Sequence, residues 1–284
     1  MEAAFAAVGA RALRIDLAAC DFNTRSASGL ALPVLGSQLP DAVHVRTLAA
    51  GSFEAITRRL GVLHALTKLG VVVWNDARAI ERCVDKSMTS FLLARAGVPT
   101  PPTWTMESTE TARALIEREA PRGPLVFKPL FGAQGKGLRL IRRPEDLPAP
   151  ENVGGVYYLQ RFQRIETDDF RDYRLFVLCG RVIAAMMRSA STWITNVKQG
   201  GRPLAVAPDP GMERLAIAAA EAVGATIAGV DLLQGVDGAP TVLEVNSMPA
   251  WSGLQKVSAR NVAQAIASAL IDELAGCPGQ RRVP

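Results

Sequence analysis

Two short stretches carry side chains that together could hold a polyphosphate. Residues 125–137 read LVFKPLFGAQGKG. Gly132, Gly135 and Gly137 lack a Cβ, so backbone N–H groups there can approach an anion closely. Lys128 stands four residues before the first glycine, on the incoming strand, where an ammonium is a natural phosphate partner. A Walker loop would need Lys-Ser or Lys-Thr before a helix, whereas Lys136 is followed by Gly137 and a strand. A dinucleotide fingerprint would also need a helix next. The plainer reading is an ordinary flexible turn, and Lys128 weighs against it.

The second stretch is acidic. Residues 229–246 read GVDLLQGVDGAPTVLEVN. Asp237-Gly238 is a two-residue hairpin signal. With those two residues as the loop, Val236 faces Ala239, Leu233 faces Val242 and Asp231 faces Glu244. Asn246 shares a face with Glu244 by the strand period of two. Opposed carboxylates repel unless a cation lies between them, and oxygen donors from Asp, Glu and Asn suit magnesium. The alternative is a solvated face paired with lysine or arginine, and a loop one residue longer would spoil the register. The irregular Ser247-Met248-Pro249-Ala250-Trp251 that follows reads as a site at the end of a sheet.

Positioning these stretches requires a mixed architecture. Ser52 caps a helix through Leu69, with Ile56, Leu60, Leu63, Leu66 and Leu69 on one stripe; Gly70 stops it, and Val71 to Trp74 is a strand. Asn75-Asp76 reads as a turn. Helices are expected from Asp85 to Ala96, Ser108 to Glu119, Gly211 to Val223 and Ser258 to Leu274. Strands are expected at 125–128, 138–141 and 157–160, with hairpins pairing 173–178 with 181–188 and 226–233 with 241–246. Helices and late antiparallel hairpins together give an α/β (α+β) class rather than one doubly wound sheet.

The bulk properties narrow the function. The chain has 284 residues, 49% of them hydrophobic and 21% charged, which allows a substantial core. No apolar run reaches the ~18 residues that span a bilayer, and no basic segment precedes an apolar one at the N-terminus, so a cytoplasmic location is expected. The net charge of +5 comes without a basic block, which gives no reason to expect nucleic acid and suits small anions. Cys20, Cys83, Cys179 and Cys277 are too scattered for a zinc or redox motif, and His44 and His64 cannot form a histidine-rich metal site.

Several pieces in order resemble the ATP-grasp ligases. Residues 81–98, ERCVDKSMTSFLLARAGV, resemble the entry to their central domain. VFKPLFGAQGKG resembles the phosphate-covering hairpin, and YYLQRF the hinge strand beside adenine. DYRLFV, GVDLL and LEVNSMP resemble the remaining nucleotide and magnesium strands. Within that superfamily the chain is most similar to the RimK branch, and RRLGVLHALTKLGVVVWNDARAIERCVDK resembles the tetrahydromethanopterin glutamate-ligase type.

The resemblance implies an ATP-grasp fold with an N-terminal unit over 1–82, a central unit over 83–154 and a C-terminal unit over 155–284, the nucleotide lying between two antiparallel-sheet units. It implies that Lys86 and Lys128 contact the ATP phosphates, that Gly132, Gln134, Gly135 and Gly137 close over them, and that Gln160, Arg161 and Phe162 line the adenine edge, mainly through backbone. Many relatives have glutamate where Arg161 stands. Asp172 and Arg174 match a pair near ribose and the acyl phosphate. Arg188 and Asn196 match a pair near the transferred phosphate, and Lys198 replaces an arginine common in that loop. Asp231, Glu244 and Asn246 match the magnesium ligands, with manganese a substitute.

The implied activity is ADP-forming amide synthesis from a carboxylate and an amine, through an acyl phosphate. The expected partners are a small-molecule acceptor and L-glutamate, with no nucleic acid or membrane, and the chain is expected to form a homo-oligomer, a dimer or tetramer. Arg188, Arg202 and Lys198 are candidates for the glutamate carboxylates, and Ser52, Phe53 and Arg58 for the acceptor. Ribosomal-protein or amino-acid-biosynthesis ligases of the same branch, and a nucleotide-binding protein without catalysis, are the alternatives. The last would have lost Asp231, Glu244 or Asn246, and all are present.

Overall fold

The computed structural model describes residues 1–36, 38–132, 134–163, 170–235 and 238–276. In chain order, α1 (Glu2–Ala6), β1 (Asp21–Phe22), β2 (Leu30–Ala31), β3 (Ala42–His44), α2 (Phe53–Lys68), β4 (Val72–Trp74) and α3 (Ala77–Val84) come first. Then follow α4 (Lys86–Arg95), β5 (Thr103–Met106), α5 (Thr109–Glu119), β6 (Leu125–Lys128), β7 (Arg139–Ile141) and β8 (Tyr157–Arg161). The last stretch holds β9 (Phe170–Leu178), β10 (Arg181–Ala190), β11 (Arg202–Ala205), α6 (Pro210–Val223), β12 (Ile227–Gln234), β13 (Pro240–Asn246), α7 (Ser252–Gln255) and α8 (Val262–Gly276). No helix among the described residues is long and apolar enough to cross a membrane.

Side-chain chemistry explains where the helices begin. Ser52, Asp76, Asp85, Ser108 and Asp209 each accept a hydrogen bond from a first-turn backbone N–H. Asp76 therefore starts α3 rather than merely closing a turn.

Two antiparallel sheets carry the rest. The first is four-stranded in the order β5-β8-β6-β7. Leu125, Phe127, Tyr157 and Leu159 turn to one face, under Ala112, Leu115 and Ile116 of α5. Period two sends Val126, Lys128, Tyr158 and Gln160 to the other face. The second sheet is five-stranded, β11-β10-β9-β12-β13. Ala216, Ala219, Ala220 and Val223 of α6 pack on Leu175, Val177, Val230 and Leu232. The opposite face divides along its length. One end is apolar, with Phe176, Leu178, Ala184, Met186 and Ile227 covered by α8. The other end bears Asp172, Arg174, Arg188 and Asp231.

The β12–β13 hairpin departs from the expected register in one instructive way. Asp231 faces Glu244 and Gly229 faces Asn246, as expected. Beyond Asp231 the ladder slips, so that Leu232 faces Val242 and Leu233 faces Thr241 rather than Val242. The strands end at Gln234 and Pro240, so the connection is longer than a two-residue turn. Val236 and Asp237 lie outside the described residues. Leu243 is the extra residue of a β-bulge, and the bulge absorbs what the longer loop would have cost in register.

At the N-terminus β3 and β4 run parallel, with α2 packed through Val62, Leu63 and Leu66 on Val71 and Val73. Asn75, 1% exposed, joins this layer to the second sheet. Its Nδ2 donates to the Ile227 and Ser247 carbonyls at 2.6 Å each, and its Oδ1 accepts from Ile227 N at 2.9 Å.

Candidate active site

The two sheets enclose a cleft of about 110 Å³, open to solvent. Lys128 and Gln160 face it from the first sheet, and Asp172, Arg188, Asp231 and Glu244 from the second. The glycine hairpin and the acidic hairpin thus stand on opposite walls of one space. Val126, Leu138, Leu233 and Leu243 add apolar walls. Phe162 and Trp193 meet edge to face there, with centroids 5.8 Å apart. A second, broader depression lies between the β9–β10 turn and α8, around Cys179, Arg181 and Arg260. It shares no lining residue with the cleft and lacks the lysines and paired acids.

Cross-strand pairing builds the charged floor. Arg174 lies opposite Asp231, and Arg188 opposite Asp172. Arg174 donates from Nε and Nη2 to the two oxygens of Asp231 at 2.6 Å each. Arg188 donates from Nε to Asp172 Oδ1 at 2.7 Å, makes a second bond from Nη2 to Asp172 Oδ2, and reaches Asp231 Oδ2 at 3.0 Å. Both aspartates and Arg188 are buried. Burial alone would push the Asp231 carboxyl up, but the two guanidiniums overcome it and hold it near pKa about 2. Burial opposes the charge on Arg188 as well, and Asp231 and Asp172 outweigh it, so the guanidinium stays protonated.

Glu244 is different. Among the described residues no cation lies within ion-pair distance of it, though Lys86 and Lys128 feel its charge. Burial pushes both lysines below their ordinary range; Glu244 pulls each back, and Lys86 adds a further downward push on Lys128. The Lys86 Nζ donates to the carbonyls of Leu130 and Gly132, at 3.1 and 2.9 Å, so it holds the base of the hairpin flap.

The flap leans on the opposite wall. A Cβ on Gly135 would lie 2.5 Å from Asn196 Oδ1 and 2.9 Å from Ile194 Cγ2, and its φ is +71°. Gln134 is also left-handed, with φ 65°, and Gly137 lies against Pro129. The Asn196 loop is itself tight: a Cβ on Gly201 would collide with the Thr195 carbonyl.

The donor set suits a hard divalent cation. Glu244 offers both oxygens. Asn246 donates through Nδ2 to the Gly229 carbonyl at 3.4 Å, which leaves its Oδ1 available. Asp231 keeps one acceptor position beyond its three arginine bonds. The set is two acids and an amide; the described residues contain no cluster of three His, Cys, Asp or Glu side chains.

Arg161 is among the residues that line the cleft, while its side chain pairs with Glu119 at 2.8 Å, donates to the Glu119 and Gly123 carbonyls and lies over Trp104. Other expected residues stand elsewhere. Lys198 is exposed on a short turn and does not line the cleft, and Arg202 is exposed on β11. Ser52 caps α2 and Arg58 pairs with Asp21 at 2.5 Å, while Phe53 is 82% exposed. Thr195, Leu233, Val126 and Leu243 also line the cleft, beyond the residues expected there. Strand parity from Lys128 and Asp231 points to Val126 and Leu233. No local signal marks Leu243, which faces the cleft only because of the bulge.

Comparison with known proteins agrees with this geometry. The family described as RimK-like ATP-grasp domain matches residues 83–270. A tetrahydromethanopterin:alpha-L-glutamate ligase of Methanococcus maripaludis is 37% identical over 209 residues, covering 72% of this chain and 69% of its own. A probable alpha-L-glutamate ligase of Legionella pneumophila (strain Corby) is 34% identical over 226 residues, covering 74% of each. Among solved structures, the ATP-grasp ligase PsnB complexed with minimal precursor, Mg and ADP superposes with a TM-score of 0.71 over 96% of this chain and 93% of that one, at 22% identity.

Proposed function

This chain belongs to the RimK-like ATP-grasp family of ATP-dependent ligases, and from that premise we propose that it joins L-glutamate to a carboxylate acceptor through an acyl phosphate. The observation that carries the reading is the cleft with Lys128 on one wall and Asp172, Arg188, Asp231 and Glu244 on the other. The names of the two relatives support glutamate as the amine. The name of the Methanococcus relative supports a tetrahydromethanopterin-type acceptor.

In the proposed reaction an acceptor carboxylate oxygen attacks the γ-phosphorus of ATP and ADP leaves. The glutamate nitrogen then attacks the acyl carbon, phosphate departs, and the amine loses a proton. In this reading Lys128 neutralises phosphate charge from the cleft wall, with Lys86 behind it at the base of the flap, and the flap from Gly132 to Gly137 shuts water from the acyl phosphate. Arg174 and Arg188 face charge developing on the transferred group. The base of the nucleotide fits between Val126, Leu138, Leu233 and Leu243, beside the backbone of Gln160 to Phe162. Glu244, Asn246 and Asp231 would hold magnesium. The ion, when bound, screens the phosphates and polarises the reacting one. None of these roles needs a nucleophilic side chain. The proposed units are residues 1–82, 83–154 and 155–284, with the correction that β8 (Tyr157–Arg161) belongs to the second, since it pairs with β5 and β6.

The test is ADP release from magnesium-ATP with a panel of acceptors plus L-glutamate. Glutamate-dependent release with an acceptor is expected, and Lys128→Ala should abolish it while leaving the fold intact. Release that is indifferent to glutamate with every acceptor would remove the proposal.

A further inference from the structure

One cation near the site meets no carboxylate at ion-pair distance among the described residues. Arg46 follows β3 at the C-terminal edge of the parallel β3–β4 pair, where Val45 N donates to the Trp74 carbonyl. Crevices outside the carboxyl ends of parallel strands are where open sheets bind ligands. The Arg46 guanidinium lies 3.7 Å above the Trp251 ring and donates from Nη1 to the Pro249 carbonyl at 3.3 Å. That bond uses one of five N–H donors. Among the described residues no carboxylate lies within ion-pair distance of Arg46, and burial pushes its pKa down to about 10 with nothing acidic to restore it. A half-buried, unpaired guanidinium is costly unless something anionic meets it.

Its place relative to the cleft is fixed by Pro249. That ring abuts Gly229: a Cβ on Gly229 would fall 2.8 Å from Pro249 Cβ and 3.7 Å from Arg174 Nε. Gly229 in turn precedes Asp231 by two residues on β12, about 7 Å of strand. Arg46 is therefore linked to the Arg174–Asp231 pair through Pro249. A planar fork stacked on an indole presents its free edge to a carboxylate or phosphate in two-pronged fashion.

We propose that Arg46, stacked on Trp251, binds a second anionic group of the acceptor, a carboxylate or phosphate remote from the carboxylate that reacts. Arg46 thereby selects acceptors that carry negative charge at both ends. The inference rests on the ligase reading for the word acceptor, while the anion site stands on its own geometry.

The experiment follows tryptophan fluorescence of the full chain during titration with glutarate and, separately, glycerol 3-phosphate, at constant ionic strength. At least one probe should perturb the emission of the wild type. The response should vanish in Arg46→Ala and in Trp251→Phe, and return at reduced affinity in Arg46→Lys, with ATP affinity and melting temperature unchanged in Arg46→Ala. The responding probe identifies carboxylate or phosphate. For an acceptor that gives glutamate-dependent ADP release, Arg46→Ala should raise the acceptor KM at least about tenfold, the scale of a lost bidentate ion pair, without a matching change in the KM for ATP. No response to either probe in the wild type, or an equal response in Arg46→Ala, overturns the proposal even if ADP release succeeds. A response that depends on Arg46 without any glutamate-dependent ADP release would instead sink the ligase reading and leave the anion site standing.

Discussion

Asp231 and Glu244 face each other across one strand pair yet live in opposite electrostatic surroundings. Asp231 answers two guanidiniums, whereas Glu244 meets no cation at ion-pair distance among the described residues. Their substitutions should therefore separate chemistry from stability. Glu244→Ala should abolish turnover and leave the unfolding free energy within about 0.5 kcal/mol of the wild type. Asp231→Asn should also abolish turnover, but with a loss of about 3 kcal/mol or more, because Arg174 then loses the carboxylate it pairs with and Arg188 keeps only Asp172. Denaturant unfolding of both variants checks this, and equal stabilities would contradict it. Lys128 gives a pH signature. Burial lowers its pKa, so the free protein disfavours the charged form, whereas a triphosphate favours it. Above that lowered pKa, ATP binding should take up a proton, and affinity should fall as pH rises. Calorimetry in buffers of different ionisation heat should show the uptake in the wild type and lose it in Lys128→Met.

The flap and the bulged hairpin are the elements that turn these side chains into a site. Gly135→Ala would place a methyl group within 2.5 Å of Asn196 Oδ1, on a backbone with φ +71°. It should lower kcat/KM for ATP at least about tenfold through impaired closure, with no change in melting temperature. An unchanged kcat/KM would mean that the flap need not approach the Asn196 loop. The helices capped by Ser52, Asp85 and Ser108, the glycine flap and the Asp231–Glu244 pairing were legible because each depends on residues near in sequence. Short strands were not: β3, β5 and β11 are held by partners far along the chain, with three or four residues each. The bulge at Leu243 was hidden for the same reason, since it balances a loop against a ladder that pairs with β9.

At the scale of the whole molecule, Asn75 is the joint between the N-terminal layer and the second sheet. Its three hydrogen bonds end on Ile227, at the start of the strand that bears Asp231, and on Ser247, next to Asn246. Asn75→Ala would leave buried backbone groups unsatisfied and should cost about 3 kcal/mol, read by denaturant unfolding. It should also weaken magnesium-nucleotide binding, because Asn246 loses its neighbour's anchor; unaltered binding would confine Asn75 to stability. The amino-acid sequence by itself determined the strand faces, the helix starts, the anion-friendly glycines and the acidic pair. Each follows from side-chain period or backbone freedom over a few residues. The tertiary structure alone decided that Arg174 and Arg188 clamp Asp231, that the Arg161 side chain pairs with Glu119, and that Arg46 meets no carboxylate at ion-pair distance among the described residues. Which cation meets which carboxylate depends on distances between strands that only packing sets.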